Sequence, residues 1–265
     1  MARTTTVREV LYRVSVLQQD VVPQFQRWPE AQTVMWLDDA QMAVWKFLPL
    51  AASRIDAIKL KPGTLQSIES IAVVDCKPGV GGAPTQPVLG TQLIHLVNNM
   101  GADGLTPGRA IRLTSREQMD AQSPDWHTVA KPAVECFMFE PETPRNFYVT
   151  PGVTASPDVW VRLAYTAQPA KIPNTGVPGA ELYKYDGTNA QLISIGDEHI
   201  DDLVNYVMAR SWMRNSQNAG EPQKAAQFAG MFLQSINSKV AAVVGNSPNL
   251  KKLPFAPEPV GQAGS

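Results

Sequence analysis

The chain has 265 residues, of which 44% are hydrophobic and 18% charged, with a formal net charge of −1. That apolar share supports a packed core and excludes a wholly disordered chain, which combines low hydrophobicity with high net charge. A net charge near zero gives no overall attraction to nucleic acid, and two cysteines, Cys76 and Cys136, make neither a disulfide framework nor a paired metal motif.

The N-terminus, Met1-Ala2-Arg3-Thr4-Thr5-Thr6, has no apolar h-region, so no secretory signal is expected. Thr6-Val7-Arg8-Glu9 then matches a capping box. Val7, Val10, Leu11, Val14 and Leu17 follow at helical spacing. Asp20 to Pro23 ends this helix. Trp28-Pro29-Glu30 opens a second, with Pro29 at the favoured first position and Glu30 complementing the dipole. Val34, Leu37, Gln41, Trp45 and Leu48 run down one face of it.

Proline marks where this helical pattern stops. Of the 22 prolines, three lie in residues 1–54, fourteen in residues 62–178, one in residues 179–247 and four beyond. Proline breaks helix interiors and central strands but suits turns. The middle of the chain therefore reads as short strands: 55–60, 70–76, 92–97, 110–113, 134–139, 146–149 and 159–165. In the last of these, Trp160, Arg162, Ala164 and Thr166 face one way, and Val161, Leu163 and Tyr165 the other. Residues 79–87 and 171–187 carry turn residues without a core pattern and read as surface loops.

Helix returns near residue 197. Asp197, Glu198, Asp201 and Asp202 crowd a helix start, and Ile200, Leu203, Val204, Val207, Met208 and Ser211 form an apolar stripe. Glu221-Pro222 starts a last helix with Ala225, Ala229, Phe232, Ile236, Val240 and Val243 on one face, and Gly245 is a natural stop. The fold class expected is α+β. N- and C-terminal helices form a helical bundle, and a small β-sandwich or barrel-like domain is inserted between them. The divisions are 1–54 and 196–245 for the helices, 55–195 for the β insertion, and 246–265 for an extended tail. In that tail Leu250, Leu253, Phe255 and Val260 are spaced hydrophobes between prolines, suited to docking along a partner or to a free end.

Signatures of chemistry are scarce. The sequence lacks G-x-S-x-G, G-x-x-x-x-G-K-[ST], H-E-x-x-H and G-x-G-x-x-G. Gly79-Val80-Gly81-Gly82 lacks the Lys-Ser/Thr of a phosphate loop and is flanked by Pro78 and Pro84. Glu198-His199 with Asp201 and Asp202 can be drawn as a hard-metal or acid–base cluster, against the plainer reading of a solvated helix start. His95 reads as a core or edge residue, His127 as a turn residue, and Cys136 lacks any nucleophile signature. Arg3, Arg8, Arg13, Lys251 and Lys252 read as solvated charge. No cofactor and no metal is expected. The residues alone leave open a binding module with helical flanks, taking a small ligand or carbohydrate on Trp126, Tyr148 and Trp160.

Several segments, in order, resemble one family. They are Arg27-Trp28-Pro29, Leu60-Lys61-Pro62-Gly63, Asn99-Met100-Gly101, Gly108-Arg109-Ala110-Ile111-Arg112 and Pro124-Asp125-Trp126. The stretch from Phe139 through Pro144 and Phe147 to Pro151-Gly152-Val153 follows, then Tyr165-Thr166-Ala167-Gln168-Pro169, then a helix with Tyr206 and Arg210. Together they resemble the head-to-tail adaptor proteins of short-tailed bacteriophages, over roughly residues 5–245. Arg214-Asn215 stands where Lys-Asp is expected. The resemblance implies a non-enzymatic virion protein that forms a ring, typically of about twelve copies. It implies the portal protein, the tail nozzle and possible tail fibres as partners, and genome DNA passing through the channel without sequence-specific binding. It implies a place in the virion neck after synthesis in the host cytoplasm. Tyr206, Arg210, Trp212 and Phe232 are then candidates for helical packing or an interface, and Leu250, Leu253, Phe255 and Val260 for docking on the portal.

Overall fold

The computed structural model describes residues 4–20, 27–80, 84, 86–174, 182–183, 189–214 and 220–246. Helix α1 (Val7–Leu17) starts at the expected box: the Glu9 amide donates to Thr6 Oγ1 at 3.2 Å, and the Thr6 amide donates to Glu9 Oε2 at 2.8 Å. Helix α2 (Glu30–Phe47) begins one residue later than the sequence suggests. Pro29 is its N-cap, and the Pro29 carbonyl accepts from the Gln32 and Thr33 amides. A 3-10 turn (Pro49–Ala52) leads into strand β1 (Ser53–Lys59).

The strands follow as β2 (Gly63–Ser67), β3 (Cys76–Val80), β4 (Gly90–Met100), β5 (Pro107–Ala110) and β6 (Arg112–Leu113). A short helix α3 (Arg116–Gln122) precedes β7 (Ala130–Lys131), β8 (Cys136–Phe139), β9 (Asn146–Val153) and β10 (Trp160–Ala167). One sheet has the order β3-β1-β10-β4-β5, the other β2-β9-β8-β6, with β7 also pairing to β9. Chain crossing between the sheets draws their edges together. The Gly90 amide donates to the Ile68 carbonyl, Leu93 to Pro144, and Ile111 to Val97. A Cβ on Gly90 would lie 2.4 Å from the Ile68 carbonyl oxygen, so this approach requires glycine. Leu96, Phe137, Phe147, Val149, Val161, Leu163 and Tyr165 fill the space between the sheets.

Helix α4 (Ile200–Arg214) follows a 3-10 turn (Asp197–His199), and α5 (Glu221–Asn246) closes the described chain. The apolar stripes of α1, α2, α4 and α5 share one core, which includes Val10, Leu11, Val34, Leu37, Leu203, Val207, Phe232 and Ile236. The fold is thus mixed α and β, with two sheets and five α-helices among the described residues.

Four expectations need correcting. The run 70–76 is not a strand: Ile71 makes an isolated bridge to Val88 and a 3-10 turn (Val73–Asp75) precedes β3. Gly79 and Val80 are strand rather than loop. Strand β9 runs on through Pro151, where its pairing changes. Up to Thr150 it pairs with β8, and from Gly152 it pairs with β7, so the missing proline amide falls at the changeover. The stretch 171–187 is no simple surface loop in its described part. Ile172 and Tyr183 are buried in the helical core, held by two acids of α2: Asp38 accepts from the Ile172 amide at 2.9 Å, and Glu30 from the Leu182 and Tyr183 amides at 2.7 and 3.0 Å. Isolated anchors of this kind have no periodicity for a sequence reading to detect.

Candidate assembly surface

Three segments meet at one end of the helical core: the joint Arg27-Trp28, the end of α4 and the start of α5. Trp212 lies edge-on to buried Trp28 with centroids 5.6 Å apart. The Arg27 guanidinium lies 4.3 Å from the Trp28 ring centroid and 5.5 Å from that of Trp212. Lys224 Nζ lies 4.7 Å from the Trp212 ring. Arg27 also pairs with the mostly buried Glu221 carboxylate at 3.1 Å. The Trp28 indole N–H donates to the Ser211 carbonyl at 3.4 Å. A cation over an aromatic face contributes about 0.5–2 kcal/mol, more as it is desolvated.

One turn back along α4, Tyr206 and Arg210 lie at i and i+4 and so share a face. The Arg210 Nε and Nη2 groups donate to Tyr206 Oη at 3.2 and 2.8 Å. Phe232, buried on α5, meets Tyr206 edge-on at 5.3 Å. Tyr206, Trp212 and Phe232 therefore join α4 to α5, while Arg210, Arg214 and Lys224 stay exposed around them. Arg, Trp and Tyr at a partly exposed packed cluster are the residue types that dominate protein–protein contacts.

The acid-rich helix start is not the solvated cap the sequence suggests. His199 and Asp202 are 1% and 0% exposed. His199 Nδ1 lies 2.9 Å from Asp202 Oδ2, and Lys239 Nζ reaches that oxygen at 2.6 Å and the Glu198 carbonyl at 2.7 Å. Burial opposes the charge on Asp202, but the bonds from His199 and Lys239 outweigh it and hold its pKa below the ordinary carboxylate value. Asp201, by contrast, is exposed. The cluster ties the start of α4 to α5, and no group of metal-ligating side chains occurs among the described residues. Asp197 serves a second tie. It accepts from the Thr4 and Thr5 amides, which hold its pKa low against the burial that raises it.

A second buried carboxylate was illegible in the sequence. Asp56, 0% exposed on β1, accepts from Arg54 Nε at 2.8 Å, from the Tyr165 hydroxyl at 2.8 Å and from the Gly79 amide at 3.0 Å. A Cβ on Gly79 would lie 2.1 Å from the Ile55 carbonyl oxygen. Burial, then Asp56, push the Cys76 thiol up to about 12 and raise the Tyr165 hydroxyl too. Cys76 is therefore a poor nucleophile. Cys136 is half-buried on β8.

The remaining candidates are scattered. His95 is exposed on β4, edge-on to Phe137, and His127 lies against Trp126 with centroids 3.5 Å apart. Trp126 and Trp160 are buried. A cavity of about 740 Å³ lies where the helical and β parts meet, with Ala52, Arg54, Val88, Leu89, Lys171 and Ile193 in its wall. Its described lining has no carboxylate, histidine or cysteine to carry a proton. No helix among the described residues is long and apolar enough to cross a membrane. The tail candidates Leu250, Leu253, Phe255 and Val260 lie outside the described residues, as does most of the loop after Val80. A family model described as SU10 adaptor protein matches residues 5–250. No curated protein matches the chain.

Proposed function

The chain belongs to the SU10 adaptor protein family, whose members are phage structural adaptors of the virion neck, and from that premise we propose that it is a ring-forming head-to-tail adaptor. Copies of it gather under the portal, join the portal to the tail nozzle and any fibres, and line part of the channel through which DNA leaves. The match over residues 5–250 carries this reading. In it, the helices of residues 1–54 and 196–245 form the bundle, residues 55–195 form the inserted β domain, and residues 246–265 reach the portal.

The Arg27–Trp28–Trp212–Lys224 knot supports such a role. It holds three distant segments rigid where α4 turns into α5, and it leaves Arg210 and Arg214 exposed beside it. A rigid, pre-formed patch loses little freedom on docking. A closed ring uses heterologous contacts, so two different faces of each copy must match. Leu250, Leu253, Phe255 and Val260 are assigned to the portal contact, because spaced hydrophobes in a proline-rich segment dock at low entropic cost.

The test is mass. Native mass spectrometry of the chain mixed with its cognate portal should show many copies on one portal ring. A strict monomer in that mixture would remove the adaptor reading. Leu253→Asp with Phe255→Asp should weaken portal capture at least tenfold. Undiminished capture would remove the tail from the contact while leaving the ring.

A further inference from the structure

Between buried Ile111 and buried Val134 the chain makes an excursion, residues 112–133, in which Trp126 alone is buried. Helix α3 lies in it and buries none of its residues. The excursion is nevertheless pinned in one shape. The Trp126 indole N–H donates to Asp120 Oδ1 at 2.8 Å, and its ring meets Tyr148 edge-on at 5.9 Å. The Arg116 guanidinium lies 5.3 Å from the Tyr148 centroid and donates to Glu140 Oε1 at 3.0 Å. The Gln118 amide closes the helix start on Ser115 Oγ at 3.2 Å. A segment that buries so little adds little to the core of its own chain. A projection already held in shape loses little freedom when it docks.

Its exposed charge leans to one sign. Residues 113–129 hold Glu117, Asp120 and Asp125 against one cation, Arg116, which is bonded to Glu140 outside the segment. Glu117 and Asp125 make no ion pair among the described residues. The end of the helical part is the inverse. From Leu203 to Ser238 the charged residues are Arg210, Arg214, Glu221 and Lys224. Glu221 is buried against Arg27, so the exposed charges are all cations. Arg210, Arg214 and Lys224 rest on neutral groups: the Tyr206 hydroxyl, the Gln32 amide oxygen and the Trp212 ring. None of the three forms an ion pair among the described residues, and Asp39 acts on Arg210 only from beyond ion-pair distance. Both surfaces also offer apolar area, with Leu113 65% and Met213 60% exposed.

We infer that the projection around α3 in one copy docks on the Arg210–Arg214–Lys224 face of a second copy. The inference rests on the ring reading above and names the two faces that meet. A ring contact is heterologous and needs two different, complementary faces on each chain. This chain carries such a pair, one on its β part and one on its helical part, and leaves Glu117, Asp125, Arg214 and Lys224 without a counter-charge inside the copy. Opposite signs steer an approaching copy and set head-to-tail order, while two like faces repel. A nucleic acid would engage the cations alone and leave α3 without a role.

The experiment is a charge swap on full-length chains, each melted alone and each mixed with the cognate portal for native mass spectrometry. One variant carries Arg214→Glu with Lys224→Glu, a second Glu117→Lys with Asp125→Lys, and a third all four changes. Each swap alone should cut the copies loaded per portal by about tenfold or more, since it sets like charges face to face. The four-site variant should return to within about twofold of wild type, with the signs reversed and the pairing kept. Wild-type loading should fall as salt rises. All variants should melt within about 4 °C of wild type. Full loading of either two-site variant beside a loading wild type overturns the inference and leaves the adaptor reading standing. A loss that the four-site variant does not restore assigns the cations to portal or nucleic acid, and overturns it too. So does a swap that melts well below wild type, which marks charges held by the chain's own residues. A wild type that never loads overturns both readings.

Discussion

Two carboxylates among the described residues are 0% exposed, one in each part of the molecule, and they are satisfied differently. Asp56, in the β part, has both oxygens occupied: Oδ1 accepts from the Gly79 amide and Oδ2 from Arg54 and Tyr165. Asp202, in the helical part, uses Oδ2 for both His199 and Lys239, while Oδ1 is buried without a hydrogen-bond partner. A filled site of the first kind fixes one arrangement of strands. The second is weaker by construction. It lies on the seam between α4 and α5, and its lysine is 30% exposed. The Asp56 site ties together three neighbouring strands of one sheet, β3, β1 and β10, whereas the Asp202 site ties two successive helices, α4 and α5.

The largest expected effect breaks the filled site. Asp56→Ala leaves buried Arg54 without its carboxylate and strips the Tyr165 hydroxyl and Gly79 amide of their acceptor. Removing one partner of such a pair costs about 3–5 kcal/mol. Denaturant unfolding followed by tryptophan fluorescence reads this directly. A loss below about 1 kcal/mol would mean that the site relaxes easily and that the contrast with Asp202 is wrong.

Asp202→Asn should cost less, about 1–3 kcal/mol, because the amide oxygen still accepts and Lys239 can turn to water. The pH dependence follows from sign. The folded pKa of Asp202 lies below its unfolded value, so its stabilisation is full above about pH 4 and is lost as pH falls through the folded pKa. Acid unfolding of the wild type should therefore be steeper below pH 4 than that of Asp202→Asn. Parallel curves would show that Asp202 is not held in its charged form.

What could be read from the sequence was what is local. The Thr6–Glu9 box and the stripes of α1, α4 and α5 rest on contacts three or four residues apart, and the structure has them as read except for Leu17, which ends the α1 stripe 53% exposed. The two buried acids escaped because their partners are remote. Tyr165 lies 109 residues from Asp56, and Lys239 lies 37 from Asp202. Alternation along β1 also misleads there. Arg54 and Asp56 are buried while Ile55 is 38% exposed, the inverse of what hydrophobicity favours. A charge enters the interior when a remote group pairs with it, and no local pattern announces that group. The aromatic knot was legible only in part. Trp212 and Tyr206 were singled out, but nothing local placed Arg27 over two indoles.

That knot supplies the smallest effect and compares the two parts at their surfaces. Arg27 is half exposed, so water competes for its charge, and an ion pair of that kind is worth about 0–1 kcal/mol. Its stacking on Trp28 and Trp212 adds about 0.5–1 kcal/mol at such an exposure. Arg27→Gln should therefore lower stability by about 1 kcal/mol, and it should do so at high salt almost as much as at low salt if stacking outweighs the pair with Glu221. Arg145→Gln in the β part is the control. Its guanidinium pairs with exposed Glu69 at 3.2 Å. Its loss should be smaller and should vanish in salt, since a bare surface pair is screened within about 10 Å at 0.1 M. Equal losses with equal salt dependence would show that the indoles give Arg27 nothing, and that the end of the helical part is no more rigid than any charged surface.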